Sequence, residues 1–484
     1  MHTSFRRAYH RARPTRRMRP LRNPLAKRPA PVMLDPLDPS GQTKLPSVEA
    51  ILAKQQLNET SEEPIERGSP EARHGRKYIG SISLPQPLIK GTEALIEACE
   101  DKKLIRTDAL RIYESFRSTA KAEAEPVESN TKGDKKKKNN KPAKKDNNTD
   151  KTEPHALSYG PRESLAYVAG AMPSTYAAVT NVLNELNKRL SNFSPKTMLD
   201  FGTGPGTAIW AARSAFSGIE SFAGVDLSED MLNVAEHLEK ALDSPRVEWT
   251  RYLAVDPNSP KTDLVVSAFT LGELPSVALQ TSVVKQVWDQ TGDILVLIDR
   301  GTPVGFANIA RARQTILDME AGGGAHVVAP CSHDALCPLL YSEKANPNKF
   351  WCHFSQRVQR PPYLMKTKHA KSNLEDAKYA YVVLRRGARP TTAIATASME
   401  QQSYDWPRLV QPPIKNQGHT IMDVCAKEGE IQRMTIPKSQ GKVPYRDARK
   451  AMWGDLFPHP SKNKVITRVP RAQAVPGDGH NSSS

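Results

Sequence analysis

Long apolar runs are absent from this sequence of 484 residues. No stretch approaches the roughly 18 consecutive apolar residues that a membrane-spanning helix needs, so we expect no membrane partner. Closely paired cysteines are absent as well, since no two of the five cysteines are separated by only two to four residues. This spacing argues against the usual zinc-ligand pairs, and an odd number of cysteines in a long chain argues against a disulfide framework.

Acidic residues are missing from the first 34 positions, which hold nine arginines and Lys27. An Arg-rich N-terminus without acids is typical of a mitochondrial transit peptide, and the alternative is an RNA-binding arm. The whole chain carries a net charge of +17, which predicts a polyanionic partner such as RNA. The candidate contact residues form two sets, which are Arg357, Arg360, Lys366, Lys368 and Lys371, and Arg446, Arg449 and Lys450. The alternative for both sets is an ordinary solvated basic surface.

Composition and periodicity divide the chain into six ranges. Predicted strands alternate with helical segments in the middle of the chain, which indicates a parallel sheet covered on both faces. These strands lie at 197–201, 221–226, 247–253, 263–268, 293–298 and 379–384. The ranges are 1–75 (transit peptide and disordered N-terminal region), 76–130 (helical segment), 131–156 (Lys-rich disordered insert), 157–390 (α/β domain with a cysteine loop), 391–457 (β-rich C-terminal module) and 458–484 (disordered tail).

A glycine-rich turn follows the first of these strands. Asp200 is followed by Gly202, Gly204 and Gly206, with Thr207 where a dinucleotide fingerprint has its third glycine. Glycines at alternate positions allow close approach of the backbone to a ligand, with amides that point at it from the helix N-terminus. Asp226 ends the next strand, where a carboxylate can bind the two hydroxyls of a ribose.

Together these residues predict an S-adenosylmethionine site of the class I methyltransferase type. Counting strands places Asp256 near the adenine position of that site. The alternative is a purely structural glycine turn in another α/β protein.

Four of the five cysteines lie in the C-terminal half of the chain: Cys331, Cys337, Cys352 and Cys425. Four thiolates can hold a tetrahedral zinc ion or a four-iron cluster, and either would join the α/β domain to the β-rich module. The wide spacing favours the iron–sulfur cluster, with His333 and His353 as neighbouring groups. The alternative is four unrelated buried cysteines, because free cysteine is often simply a core residue.

Between Tyr159 and Leu456 the chain resembles the methyltransferase-like proteins of the mitochondrial small ribosomal subunit. The segments that carry the resemblance are MPSTYAA (172–178), LDFGTGPG (199–206), TLGEL (270–274), GTPVGF (301–306), PC (330–331), CPL (337–339), FSQR (354–357), EDAKY (375–379), YRDAR (445–449) and WGD (453–455). The resemblance implies a mitochondrial matrix protein that supports assembly of the small subunit, and hence translation. It further implies that the four cysteines bind a [4Fe–4S] cluster. The expected partners are small-subunit rRNA and small-subunit proteins, and the protein is expected to be monomeric off the ribosome.

The predicted cofactor site has no recognisable acceptor motif beside it. Methyltransferases that modify base amines often carry N/D-P-P-F/Y after the fourth strand, where this chain has Ser-Ala-Phe-Thr-Leu-Gly-Glu at 267–273. Glu273 is a candidate base or acceptor-orienting group, and its alternative is a surface helix-cap acid. No catalytic residue is therefore assigned. The sequence favours an RNA-binding assembly factor over an active rRNA methyltransferase, and both over a small-molecule methyltransferase.

Overall fold

The computed structural model describes residues 68–122, 158–242, 246–253, 260–391 and 397–473. The predicted Lys-rich insert, most of the predicted N-terminal region and Asp256 lie outside these residues. Within the described ranges, no helix combines the length and the apolar character that a membrane span requires.

The strands and helices follow in chain order. The strands are β1 (Ser81–Ile82), β2 (Thr197–Phe201), β3 (Ser221–Val225), β4 (Val247–Thr250), β5 (Thr262–Ala268), β6 (Thr291–Arg300), β7 (Ala325–Ala329), β8 (Phe354–Gln359), β9 (Leu374–Arg386), β10 (Arg408–Leu409), β11 (Ile414–Asn416), β12 (His419–Cys425), β13 (Ile431–Pro437) and β14 (Ile466–Val469). The helices are α1 (Pro70–His74), α2 (Gln86–Ala98), α3 (Lys102–Ala122), α4 (Pro161–Gly170), α5 (Met172–Arg189), α6 (Thr207–Ala215), α7 (Glu229–Lys240), α8 (Val277–Asp289), α9 (Pro303–Met319), α10 (Pro338–Tyr341), α11 (Pro362–Lys368), α12 (Met399–Ser403) and α13 (Lys442–Lys450).

The main sheet has a parallel centre in the order β4-β3-β2-β5-β6. Strand β9 runs antiparallel to β6, and both β7 and β8 pair antiparallel with β9. The parallel order is that of a doubly wound sheet, whose switch point lies between β2 and β5. The predicted class I S-adenosylmethionine-dependent methyltransferase-like (Rossmann-like) fold is confirmed.

The central strands form because their sequences are continuous apolar runs. Every residue from Leu264 to Val266 and from Ile294 to Ile298 has no exposed surface. Strands that are covered by helices on both faces require such runs, whereas a half-exposed strand alternates apolar and polar residues. The start of α7 is likewise determined by neighbouring residues, because the Ser228 side chain accepts a hydrogen bond from the Met231 amide and so caps the helix.

A segment at residues 68–84, here called the N-terminal strap, pairs with the main sheet and also bonds to the C-terminal part of the chain. Its strand β1 pairs in parallel with β8, and the Lys77 amide donates to Asp455 Oδ1 at 2.9 Å. Helix α1 lies within residues 1–75, which the sequence predicts to be disordered, so order begins earlier than that boundary. Charged composition suggests disorder here, but the strap gains its order from contacts with residues hundreds of positions away.

The second sheet is antiparallel, with the order β10-β12-β13-β14 and with β11 paired to β12. Its core includes Leu409, Met422, Val424 and Ile436, none of which has exposed surface. Strand β14 lies within 458–484, which the sequence predicts to be a disordered tail. Its pairing with β13 extends the β-rich region beyond residue 457.

Candidate functional site

The three glycines of the turn between β2 and α6 differ in what surrounds them. A Cβ on Gly202 would lie 2.2 Å from Thr270 Oγ1, and one on Gly206 would lie 2.7 Å from the Trp210 ring. Those two positions are therefore glycine because the protein itself packs against them. Gly204 has a φ of +51°, and the nearest heavy atom to an added Cβ would be 4.0 Å away. Gly204 is thus the position where the turn faces open space.

The amides of the turn are hydrogen-bonded within the protein. Those of Gly202 and Thr203 donate to the Val225 carbonyl at 2.8 and 2.9 Å, and that of Gly206 donates to the Thr203 carbonyl. The Gly204 amide donates to Asp226 Oδ2 at 2.8 Å. The turn is therefore held rigid by internal hydrogen bonds of these four amides.

Asp200 lies beneath the turn, with 1% of its surface exposed. Its carboxylate accepts from Thr203 Oγ1 at 2.7 Å and from the amides of Ala208 and Ile209 at the start of α6. Burial raises the pKa of Asp200 to about 7 against these hydrogen bonds. This geometry gives Asp200 a helix-capping position below the surface of the crevice.

Asp226 ends the neighbouring strand and faces the turn. Its two oxygens accept from the amides of Gly204 and Ser228 at 2.8 and 2.9 Å. Burial raises the pKa of Asp226 above its usual value, against those two bonds. Leu227 follows Asp226 and is 70% exposed, and Tyr252 follows the adjacent strand β4 and is 68% exposed. A carboxylate on the same edge of the sheet as exposed apolar groups suits a ribose that carries a flat base.

Glu273 lies at the carboxyl end of β5, on the other side of the turn. Its Oε1 accepts from the Tyr159 hydroxyl at 3.0 Å and from Arg300 at 3.2 Å. Burial raises the pKa of Glu273, while Arg300 opposes that shift. Glu273 is therefore a partly buried, doubly hydrogen-bonded group and not a solvated cap. Sequence reasoning missed Tyr159 and Arg300, because no local signal links them to Glu273.

Phe269, between β5 and Glu273, adds backbone strain to this side of the turn. It is a buried aromatic residue with a φ of +65°, in the left-handed region that bulky side chains rarely adopt. Such outliers persist where surrounding structure fixes them, and they cluster at functional sites.

The four C-terminal cysteines come together at one cavity between α9 and the second sheet. Cys331 follows β7, Cys337 precedes α10, Cys352 precedes β8, and Cys425 ends β12. All four line a cavity of about 40 Å³ whose other walls are mainly apolar. The structure thus brings together residues from both sheets that are up to 94 positions apart in the chain. Cys99 is not among the lining residues.

Two buried arginines hold the loop that carries Cys331. Arg408 Nε donates to the Pro330 carbonyl at 2.9 Å, and Arg313 donates to the His333 carbonyl at 2.7 Å. Both arginines line the cysteine cavity. They bring positive charge to a site whose ligands become anionic when they bind metal.

Three of the four thiols that line the cavity have a raised pKa. Burial, then the neighbouring Cys331, raises the pKa of Cys337 to about 11, and burial raises those of Cys352 and Cys425 well above the usual value. His333 Nε2 lies 3.3 Å from Cys425 Sγ, so this histidine borders the site. The His353 ring instead stacks on Trp351 at 4.9 Å.

Single-ion geometry is not found at this cavity. Among the described residues, no three Cys, His, Asp or Glu side chains are arranged to share one metal ion. A zinc ion needs its sulfurs about 2.3 Å from one point, whereas a four-iron cluster binds one thiolate at each iron and so tolerates wider separation. Four thiols that line one mainly apolar cavity are a donor set for either group, and those of Cys337 and Cys425 are buried.

The two predicted basic sets differ in how far acids neutralise them. Arg357 pairs with Asp376 at 3.0 Å, while Arg360 and Lys368 both pair with Glu375 at 2.9 Å. The set around α13 is larger than predicted and has few exposed acids. We call six of its exposed cations the basic end; they are Lys415, Lys438, Lys442, Arg446, Arg449 and Lys462. The predicted Lys450 is only half-exposed and is not counted among them.

Hydrogen bonds hold the basic end together. The Lys438 amide donates to the Gly418 carbonyl, Arg449 donates to the Asn416 carbonyl, and the Lys462 amide donates to Gln440. The acids of residues 434–465 are Asp447 and Asp455, and each has only 3% of its surface exposed. Of the six cations, Arg446 pairs with Asp447 at 3.5 Å.

Comparison with solved structures finds methyltransferases at low identity. One is a magnesium protoporphyrin IX methyltransferase from Synechocystis with bound S-adenosylhomocysteine, at 12% identity and a TM-score of 0.28, covering 48% of this chain and 90% of that chain.

Comparison with curated proteins finds closer relatives. The human mitochondrial ribosome assembly protein METTL17 is 33% identical over 318 residues, 62% of this chain and 64% of the relative. A fission-yeast mitochondrial Rsm22-cox11 tandem protein is 31% identical over 334 residues, 61% of this chain and 43% of the relative. The chain therefore spans less than two thirds of the length of each of these two relatives. The budding-yeast mitochondrial ribosome assembly protein RSM22 is 23% identical, over 62% of this chain and 68% of the relative.

A family model covers the two candidate sites described above. Residues 161–458 match the model described as mitochondrial small ribosomal subunit Rsm22. That stretch contains the glycine turn, Glu273, all four cavity cysteines and α13. Because the match covers more than half of the chain, the protein belongs to the Rsm22 family of the mitochondrial small ribosomal subunit.

Proposed function

We propose that this protein is an rRNA-binding factor of the mitochondrial matrix that holds S-adenosylmethionine and a [4Fe–4S] cluster and supports assembly of the small ribosomal subunit. The family match over residues 161–458 carries the proposal. The human and budding-yeast relatives are named mitochondrial ribosome assembly proteins. Its partners are small-subunit rRNA and small-subunit proteins, and off the ribosome it is a monomer. Depletion should lower the ratio of assembled small to large mitochondrial subunits on sucrose gradients, and an unchanged ratio would contradict the proposal.

The S-adenosylmethionine site comprises Gly202, Gly204, Gly206 and Asp226, with Asp200 beneath. Asp256 lies outside the described residues, and the count of strands in the sequence alone assigns it to the adenine. The open space at Gly204 and the exposed apolar groups beside Asp226 support this assignment. When bound, the cofactor supplies a methyl group on a positively charged sulfur. Asp226 orients the ribose, while Asp200 and the internal bonds of the turn keep the crevice rigid.

Isothermal titration with S-adenosylmethionine and S-adenosylhomocysteine tests this site. Gly204→Asp should abolish binding, because it places a side chain in the open space of the turn. Gly387→Asp is the matched control, since Gly387 has a φ of +91° and nothing within 4 Å of an added Cβ, but lies at the end of β9. Equal binding by the two variants would refute the site.

The cluster site comprises Cys331, Cys337, Cys352 and Cys425. The convergence of the four cysteines on one mainly apolar cavity and the adjacent Arg313 and Arg408 support this site. The wide spacing of the cysteines in the sequence favours a cluster over the alternative, a zinc ion. When bound, the cluster supplies a rigid cross-link, and the two arginines balance its anionic ligands. Anaerobically purified protein should be brown with about four irons per chain. Colourless protein with one zinc would refute the cluster.

The RNA-binding surface is the basic end. Two observations support this assignment: its six cations are exposed, and both nearby acids are buried. In the set around Arg357, by contrast, Asp376 and Glu375 neutralise part of the positive charge. Phosphate binding to such a surface releases counterions, so affinity falls steeply with salt.

Filter binding to small-subunit rRNA at several salt concentrations tests this surface. The triple variant Lys438→Gln, Lys442→Gln and Lys462→Gln should weaken binding at least about tenfold and flatten the salt dependence, by about 0.7 in slope for each phosphate of a single strand that is no longer neutralised. The control triple Lys196→Gln, Lys240→Gln and Lys285→Gln removes three exposed cations of the main domain that lie outside both predicted sets. Equal weakening in both triples would mean that net charge, not this surface, determines binding.

A second candidate function is methylation of small-subunit rRNA. The observation that favours it is Glu273, a partly buried carboxyl group with a raised pKa beside the strained Phe269. Transfer of labelled methyl groups to immature rRNA that is abolished in Gly204→Asp would establish it. Normal subunit assembly by a variant without transfer would leave assembly as the essential role.

A further inference from the structure

One residue bridges the opening above the glycine turn. Strand β2 lies between β3 and β5 in the sheet, so the loops that follow β3 and β5 flank the turn on either side. Tyr159, just before α4, is bonded to both loops. Its carbonyl accepts from Ser228 Oγ at 2.7 Å, and its hydroxyl donates to Glu273 Oε1 at 3.0 Å.

Further contacts hold this bridge in place. The Tyr159 ring packs edge-on against Tyr167, with ring centroids 6.0 Å apart. Arg300 donates to the same Glu273 oxygen, and its guanidinium lies 3.5 Å from the centre of the Phe116 ring. Both ends of the bridge therefore rest on partly buried groups.

We infer that Tyr159 is the gate of the S-adenosylmethionine site, and that ligand enters and leaves when the bond between Tyr159 and Glu273 opens. The inference rests on the proposed cofactor site. In an open sheet of this kind a ligand binds at the carboxyl ends of the strands beside the switch point, and Tyr159 crosses that place. Loops that close over such sites open in steps that limit ligand exchange.

A variant without the Tyr159 hydroxyl distinguishes the effect of the hydrogen bond from that of the packing of the ring. Tyr159→Phe keeps the ring and its contact with Tyr167 but removes the donor to Glu273. A hydrogen bond to a charged group contributes enough free energy to change an opening equilibrium about tenfold or more. In this gate the bond closes over the empty and the occupied site alike, so its removal raises the open fraction of both forms by the same factor. Association and dissociation therefore both become faster while the equilibrium affinity changes little.

Rapid-mixing kinetics with S-adenosylhomocysteine on the full-length protein tests this. In Tyr159→Phe we expect both rate constants to rise about tenfold and the Kd to change less than about threefold. Glu273→Gln, which removes the charge at the other end of the bond, should shift both rates in the same direction. The matched control is Tyr167→Phe, which removes a hydroxyl from the same aromatic pair whose side-chain partner is Thr175. Its rates should equal those of the wild type.

The outcomes separate this inference from the proposed function. If wild-type protein binds neither S-adenosylmethionine nor S-adenosylhomocysteine, the cofactor site itself is refuted, and the gate with it. If the wild type binds and neither Tyr159→Phe nor Glu273→Gln changes the rates, only the gate is refuted. If Tyr159→Phe weakens affinity through dissociation alone, Tyr159 is a direct ligand contact and not a gate.

Discussion

Arg408 of the second sheet and Glu185 of α5 form an ion pair inside the protein. Their nearest atoms are 2.7 Å apart, and the two side chains are 1% and 5% exposed. Lys77 of the N-terminal strap bonds to the other oxygen of Glu185 at 2.6 Å, so one carboxylate joins three separate parts of the chain. Although burial would raise the pKa of Glu185, Arg408 and Lys77 outweigh that effect and hold it below the usual value.

Removing the charge of Glu185 should therefore destabilise the whole molecule. Glu185→Gln leaves Lys77 and Arg408 buried without their counterion, which costs about 3–5 kcal/mol of unfolding free energy. Urea unfolding measures this decrease. The control is Asp293→Asn, which breaks a pair with Arg385 whose side chains are each 33% exposed and should cost under about 1 kcal/mol. Equal decreases in the two variants would contradict a special role for Glu185.

Alanine at Gly202 should mainly lower stability, whereas alanine at Gly204 should mainly impair ligand binding. Gly202→Ala forces a Cβ onto Thr270 and into a left-handed backbone, so we expect stability to fall by about 2–4 kcal/mol. Gly204→Ala incurs only the backbone strain, about 1–2 kcal/mol, but obstructs the crevice. Thermal unfolding with and without S-adenosylhomocysteine distinguishes them. Ligand stabilisation that survives in Gly204→Ala would place the ligand elsewhere.

Asp200 should give the protein a characteristic dependence on pH. Its pKa in the folded protein is about 7, above the value of about 4 for an unfolded aspartate. The folded state therefore binds a proton more tightly, and this contribution to stability is complete below about pH 4 and is lost as the pH rises to about 7. In Asp200→Asn that decline is absent, so the unfolding free energies of the two proteins should converge or cross between pH 4 and 7. A constant difference across that range would contradict the raised pKa.

Iron removal should destabilise both sheets together, because the proposed ligands come from both. Chelation under mild oxidation should lower the Tm of wild-type protein, whereas Cys425→Ser should begin at the lower Tm and respond little. Cys99→Ser, which changes a cysteine outside the cavity, should behave as the wild type does. A Cys99→Ser protein that no longer responds would point to a different set of ligands.

The strands at the centre of the main sheet were predictable from sequence because burial on both faces requires continuous apolar runs. Predicted strands at 197–201 and 263–268 correspond to β2 and β5. Strand β8 was not predicted, because Gln356 points into the core and interrupts the apolar alternation. Its side chain is satisfied there by Asn181 and the Gly80 carbonyl.

The sites were predictable only as far as their signals are local. The glycine turn and the cysteines are visible as residue types in a pattern. The partners of Glu273 are not, since Tyr159 is 114 positions away from it. The burial of Lys77 could not be predicted either, because lysine in a charged segment is normally solvated. Its burial depends on Glu185, which lies 108 positions away in the sequence.

The N-terminal strap has a consequence for the order of folding. Ser69 and Lys77 each bond to a partner 378 residues later in the chain, Asp447 and Asp455. During synthesis, therefore, Ser69 and Lys77 lack these two partners until residues 447 and 455 have left the ribosome. The central strands can assemble earlier from near neighbours, whereas contacts across such separations form late and slowly. The strap, which is the first segment that the structure describes, is thus among the last to dock onto the region around α13.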